Sequence, residues 1–209
     1  TDDYNGVVRG TFPDVGALEF SGTVLDATGP IIEYDLLPNS VCTNKVHVKA
    51  EITDVNGVNT LSGTKPRVFF KKSTDNNSIS GNTSASNGWK YVEASNNSSP
   101  FNFDIDFSII FGGVVNSGDI IEYFVVAQDL YGTPNVGTQK ANYPVGYCPT
   151  SVALPSAAFP VSNYNSFTII PVPASITTVA DKPSVCISDD VVLSLSGGVI
   201  TGAEYQWQS

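Results

Sequence analysis

The stretch "KVHVKAEIT", residues 45–53, alternates without a break. Val46, Val48, Ala50 and Ile52 fall on one side, and Lys45, His47, Lys49, Glu51 and Thr53 on the other. Period-two alternation over a whole segment marks a strand with one face buried and one in water, the habit of antiparallel sheets. "FNFDIDFS" at 101–108 repeats the scheme, with Phe101, Phe103, Ile105 and Phe107 expected inward and Asn102, Asp104, Asp106 and Ser108 outward. Further strands are read at "RVFFKK" (67–72), "WKYVEA" (89–94) and "IIEYFVVAQ" (120–128). Asn56-Gly57, Gly112-Gly113, Ser117-Gly118 and Tyr131-Gly132 separate them as turns. Good helix patterns are nearly absent, so the fold class is all-β, with a β-sandwich at 26–148.

Composition agrees with this and narrows the function. Hydrophobic residues make up 41% of the chain and include 11 Phe, 9 Tyr and 2 Trp, enough for a packed core. Twenty acidic against ten basic residues leave a net charge of -10, which repels phosphate backbones and anionic headgroups, so no nucleic-acid partner is expected. No apolar run approaches the ~20 residues of a membrane span, and no membrane insertion is expected. Only 14% of residues are charged, while Asn, Ser, Thr and Gly abound, as in extracellular β-rich modules.

Around the strands the texture changes. "STDNNSISGNTSASNG" (73–88) and "SNNSSP" (95–100) are polar tracts expected to be mobile loops. They contain the N-x-S/T sequons Asn76, Asn82, Asn96 and Asn97. Five prolines between 149 and 173 predict an extended linker, and a new β-module is expected from 174 to 209, with "VVLSLSGG" as an early strand. Cys42 and Cys148 flank the sandwich, and a bridge between them would contribute about 4 kcal/mol in the chain-entropy model; the alternative is two reduced thiols. Cys186 is then left over, an odd cysteine expected to pair outside the chain. The final "EYQWQS" reads as an unfinished strand with Tyr205 and Trp207 on its core face, and there is no methionine. Both features lead us to expect an internal slice of a longer exported protein.

Resemblances extend this picture. "RGTFPDVGALEF" (9–20) resembles the closing signature of right-handed parallel β-helix domains in bacterial surface proteins, which implies that residues 1–25 are the C-terminal end of such a helix. The strand set "AEITDVNGV", "PRVFFKK", "WKYVEA" and "GDIIEYFVVAQDLYG" is similar to immunoglobulin- or fibronectin-like modules of large exported Bacteroidota proteins. In those modules a tyrosine at the place of Tyr123 puts its ring in the core and its hydroxyl on the backbone. "VCISDDVVLSLSGG…EYQW" resembles the Ig-like repeats of the same proteins, where Cys186 would find its partner in a cysteine near the end of the repeat.

Known members of this group are type IX secretion cargo. The resemblance therefore implies a non-catalytic structural and adhesive segment of a very large cell-surface protein, possessing no cofactor, with the type IX machinery and extracellular polysaccharide or surface glycans as partners. A gliding-motility adhesin is one such protein. Two rivals stand beside it: an accessory tail of a secreted polysaccharide-degrading β-helix enzyme, and a carbohydrate-binding module. The residues offer little chemistry of their own. His47, the only histidine, sits on an outward strand face with no nucleophile elbow. Asp104 and Asp106 lie ~6.6 Å apart along one strand face and are weak calcium candidates. The loop acids Asp54, Asp119 and Asp129, and Asp189-Asp190, form no D-x-D-x-D-G loop. Tyr131, Tyr143 and Tyr147 are candidates for stacking on sugars, set against a role as core or linker anchors.

Overall fold

A computed structural model describes residues 26–159 and 161–172, together with Val8, residues 176–181 and residues 192–197. In chain order its strands are β1 (Ile31–Glu33), β2 (Lys45–Thr53), β3 (Arg67–Lys72), β4 (Lys90–Glu93), β5 (Phe101–Asp106), β6 (Ile120–Gln128), β7 (Val136–Thr138), β8 (Asn165–Thr168), β9 (Ile176–Ala180) and β10 (Leu193–Gly197). The expected β-helix end at 1–25, Cys186, and the strand carrying Tyr205 and Trp207 lie outside the described residues, Val8 apart.

The strands form antiparallel sheets. One has the order β1-β2-β5, the other β4-β3-β6-β7, with β8 also pairing to β6; β9 and β10 form a separate two-stranded ribbon. Alternation decides the faces of the first sheet as expected: Val46, Val48, Ala50 and Ile52 of β2 and Phe101, Phe103 and Ile105 of β5 are buried, and the residues between them are exposed. The inward side chains meet Val68, Phe70, Ile121, Tyr123, Val125 and Ala127 of the second sheet in one apolar core, making a two-layer sandwich. The Tyr123 ring is in that core, and its hydroxyl accepts a 2.8 Å hydrogen bond from the backbone N–H of Leu37.

β6 is the spine of the molecule and defines two poles. Its N-terminal half pairs β8 (Ile120↔Thr168) and its C-terminal half pairs β7 (Gln128↔Val136). Eight residue steps from Ile120 to Gln128 span about 27 Å at ~3.4 Å each. Asp26 and β1 lie at the upper pole, beside Asn56 and Asn135. Ile169 lies at the lower pole, where Asp119 accepts its N–H at 2.8 Å and Ser40 bridges to it in parallel. At the upper pole the two sheets approach so closely that a side chain on Gly137 would place its Cβ 2.0 Å from the Pro30 carbonyl oxygen, which restricts that position to glycine.

The proline-rich stretch corrects one expectation. Of the stretch 149–173 expected to be an extended linker, the described residues 149–159 and 161–172 are not free. β8 completes the second sheet, and Val152, Leu154, Ala158, Phe159 and Val161 are buried on its outer face against Phe69, Trp89, Phe124 and Val126. The cause lies in β3 and β6, whose runs are apolar on both sides rather than alternating, so both faces need cover. Aromatic rings form this second core: Phe69 stacks on Phe124 at 5.3 Å, and Trp89 meets Phe124 edge-on at 5.2 Å. Cations within it are paired. Arg67 bonds Glu93 at 2.9 Å and lies over the Tyr91 ring, and Lys71 reaches Glu122 at 2.6 Å. Gln128 Oε1 accepts the Val152 N–H at 3.0 Å, which ties the covering segment to β6.

The polar tract before β4 also differs from the expected mobile loop, because it is bonded across its length. The buried Lys90 ammonium donates to the carbonyls of Gly81, Ser86 and Gly88, and the Trp89 indole N–H donates to Asn77 Oδ1 at 2.7 Å. Asn82 uses its side-chain amide as a surrogate strand, accepting from Tyr91 N–H at 2.8 Å and donating to Tyr91 O at 3.0 Å. That blocks the free edge of β4. Polar tracts lack apolar area to bury, but a neighbouring Trp-Lys pair supplies a reason to fold over it.

Candidate functional site

Side chains with chemistry gather at the upper pole. Asp54 follows the end of β2 in a tight turn, where its Oδ1 accepts the Asn56 N–H at 2.8 Å and Gly57 takes a φ of 87°. Asp129 follows the end of β6 and is fully buried; its carboxylate accepts from the N–H groups of Tyr131 (3.2 Å) and Asn135 (3.0 Å) and from the Asn135 amide (2.8 Å). Asp26 stands ahead of β1 and accepts from the Thr28 N–H (3.0 Å), the Thr28 hydroxyl (2.9 Å) and the Asn56 amide (2.5 Å). Ligand oxygens of the three carboxylates lie within 4.8 Å of one another.

The local fields differ. Burial, then the charges of Asp129 and Asp26, push the Asp54 carboxyl up, with backbone hydrogen bonds from Asn56 and Gly57 opposing. Hydrogen bonds from Thr28 and Asn56 hold the Asp26 carboxyl below its ordinary value. Three hard oxygen donors are the chemistry of a calcium ligand set. Here both oxygens of Asp26 and of Asp129 already accept protein hydrogen bonds, and the cluster joins the segment ahead of β1 to the β2–β3 and β6–β7 turns. Sequence reading picked out Asp54 and Asp129 as loop acids and missed Asp26. No local signal links positions so far apart in the chain.

The other expected residues fall elsewhere. The weak calcium candidates Asp104 and Asp106 are taken up by protein groups. Asp104 binds His47 Nδ1 at 2.5 Å and Lys45 Nζ at 3.2 Å, while Asp106 caps the 3-10 turn Phe107–Ile109 by accepting the Ser108 N–H at 2.8 Å. Slight desolvation raises the Asp104 carboxyl, but the Lys45 hydrogen bond and the His47 charge outweigh it, so the group lies below its ordinary value. The cause is register: His47 stands directly across from Asp104, and Lys45 across from Asp106.

No family model, curated protein or solved structure matches this chain.

The expected Cys42–Cys148 bridge is absent, and both thiols are free and exposed. Cys42 follows Ser40, which pairs with Ile169 at the lower pole, whereas Cys148 lines a cleft with Val136 and Thr138 at the upper pole. Their separation is therefore of the order of the length of β6, beyond the roughly 7 Å that a disulfide tolerates between Cα atoms. Sequence proximity to the ends of a domain does not imply spatial proximity when the domain's ends are at opposite poles.

The Cys148 cleft, about 370 Å³, also contains Asn135, Tyr143 and Tyr147. The two tyrosine rings are 5.8 Å apart at 59°, and burial together with Tyr147 pushes the Tyr143 hydroxyl up. That hydroxyl is buried without a partner among the described residues, and both rings pack on the second core, so they anchor the covering segment. Of the four sequons, Asn82 and Asn96 have their amides engaged, Asn96 with the carbonyls of Ser98 and Pro100 at 2.8 Å.

Proposed function

We propose that residues 26–172 are an Ig/fibronectin-like spacer module in a non-catalytic, adhesive cell-surface protein exported as type IX secretion cargo. The observation that carries this reading is that, among the described residues, Asp26 lies at one pole of the sandwich and Ile169 at the other, about 27 Å away along β6. A module threaded in this way extends a tandem array by its full length and passes load along its strands. The strand order, β1-β2-β5 against β4-β3-β6-β7, supports the fibronectin-like assignment. The second core supports durability, since a covering segment seals the outer face of the load-bearing sheet. Extracellular polysaccharide or surface glycan is the partner class of the assembled array.

Protease shaving of intact producing cells tests the reading. Peptides from residues 26–172 should be released from the surface while cytoplasmic markers stay inside; recovery of those peptides only after lysis would overturn it. A carbohydrate-binding role has one observation in its favour, the Tyr143–Tyr147 pair lining the upper cleft. Glycan-array binding that is lost in Tyr147→Ala would move the assignment to that class.

A further inference from the structure

We propose that Asn56-Gly57, at the upper pole, is a deamidation site that acts as a one-way latch on the segment ahead of β1. Two of the chain's Asn-Gly pairs, 56–57 and 87–88, lie among the described residues. A glycine after asparagine leaves its backbone nitrogen unshielded and free to turn, so that it can attack the neighbouring side-chain amide and close a five-membered ring. Asn56 is exposed in a tight turn, where only a 3.2 Å bond to the Asp54 carbonyl holds the Gly57 N–H and Gly57 takes a φ of 87°. Asn87-Gly88 is packed in place. Asn87 Oδ1 accepts the Asn76 N–H at 2.7 Å, and a Cβ on Gly88 would fall 2.1 Å from the Ser78 carbonyl oxygen, so that backbone has no room to turn.

Asp26 holds the exposed site closed. Its Oδ2 accepts the Asn56 side-chain amide, its Oδ1 accepts the Thr28 N–H at 3.0 Å, and its backbone carbonyl accepts the Asn135 amide at 3.2 Å. Ring closure requires the Asn56 amide to leave Asp26, so the time that residues 26–28 spend detached sets the rate. The Gly57 nitrogen then bonds to Asn56 Cγ as the Cγ–Nδ2 bond breaks. The Gly57 proton passes to Nδ2, which departs with the bonding pair as ammonia. Water opens the resulting succinimide at either carbonyl and leaves aspartate or isoaspartate, with one proton released to solvent. A neutral donor has become an anion. Asp26 now faces a carboxylate where it had an amide, and the Asp54 and Asp129 oxygens already lie within 4.8 Å of its own. Like charges at that distance oppose reattachment of residues 26–28, and no step restores the amide.

The latch depends on neither export nor surface display, so it stands or falls apart from the spacer reading. Its test is peptide mapping of the whole 209-residue chain aged in mildly alkaline buffer, with aspartate and isoaspartate read at each Asn-Gly pair. In the folded parent, Asn56 should convert faster than Asn87 and more slowly than it does in urea. Asp26→Ala should convert Asn56 about tenfold faster, the factor expected for loss of one charge-assisted hydrogen bond, and leave Asn87 unchanged. An unchanged Asn56 rate in that variant would overturn the proposal. Should both rates rise together, the variant has loosened the fold, and Asn56→Asp, the product made directly, decides. Hydrogen exchange at the Thr28 amide should then be about tenfold faster than in the parent, with β2, β3 and β6 unaltered. Thr28 exchange equal to the parent's would overturn the latch.

Discussion

Phe159→Ala separates a covering segment that belongs to the domain from a linker that merely follows it. Phe159 is 7% exposed, with ring centroids 5.9 Å from both Phe69 and Trp89. A buried aromatic ring removes at least ~150 Å² from water, about 4 kcal/mol at ~25 cal/mol/Å². Alanine retains about a quarter of that, so the expected loss is about 3 kcal/mol, within the range seen for such truncations in cores. For a domain of this size, that lowers the melting temperature by about 6–12 °C. Urea unfolding of the whole chain, followed by near-UV circular dichroism, should show an earlier midpoint at unchanged slope. A substitution in a free linker falls within about 0.5 kcal/mol of the parent. A loss that small would refute the reasoning, and with it the assignment of residues 149–172 to the sandwich.

Asn82→Ala removes both bonds to Tyr91 and bares the β4 edge, so it should cost about 1–2 kcal/mol and promote association detectable by light scattering; an equally stable, monomeric variant would contradict the edge-blocking role. The folded state holds the Asp54 proton to higher pH than the unfolded chain does, so stability falls as pH rises through the window above the ordinary 3.8. Asp54→Asn should thus be more stable than the parent at neutral pH, by less than about 1 kcal/mol after screening, with the gain fading at acid pH; a gain that is constant with pH would count against the like-charge cluster. Finally, Cys42 and Cys148 should both react with a maleimide in the native chain, and a non-reduced peptide map that links them to each other would contradict the placement of the poles.

How much of this was legible beforehand varies by element. β2, β3, β5 and β6 were found where their apolar patterns placed them, because each carries its own strand signal within six to nine residues. β1, β7 and β8 were not read, since strands of three or four residues with mixed burial carry no period to detect. Proline density pointed to a linker over 149–173, and it misled because proline blocks ladder pairing without preventing a segment from packing as a covering layer. The doubly apolar faces of "RVFFKK" and "IIEYFVVAQ" held the contrary signal.

By itself, then, the sequence determined the all-β class, the inward residues of the alternating strands, and the net negative charge. Those properties rest on local spacing and on sums over residues, which need no tertiary information. Only the tertiary structure decided that Asp26 joins Asp54 and Asp129, that Asp104 answers to His47 and Lys45, and that Cys42 and Cys148 stand at opposite poles. Each of these depends on which strands pair and in what register, and register is set by the whole sandwich rather than by any one stretch of the chain.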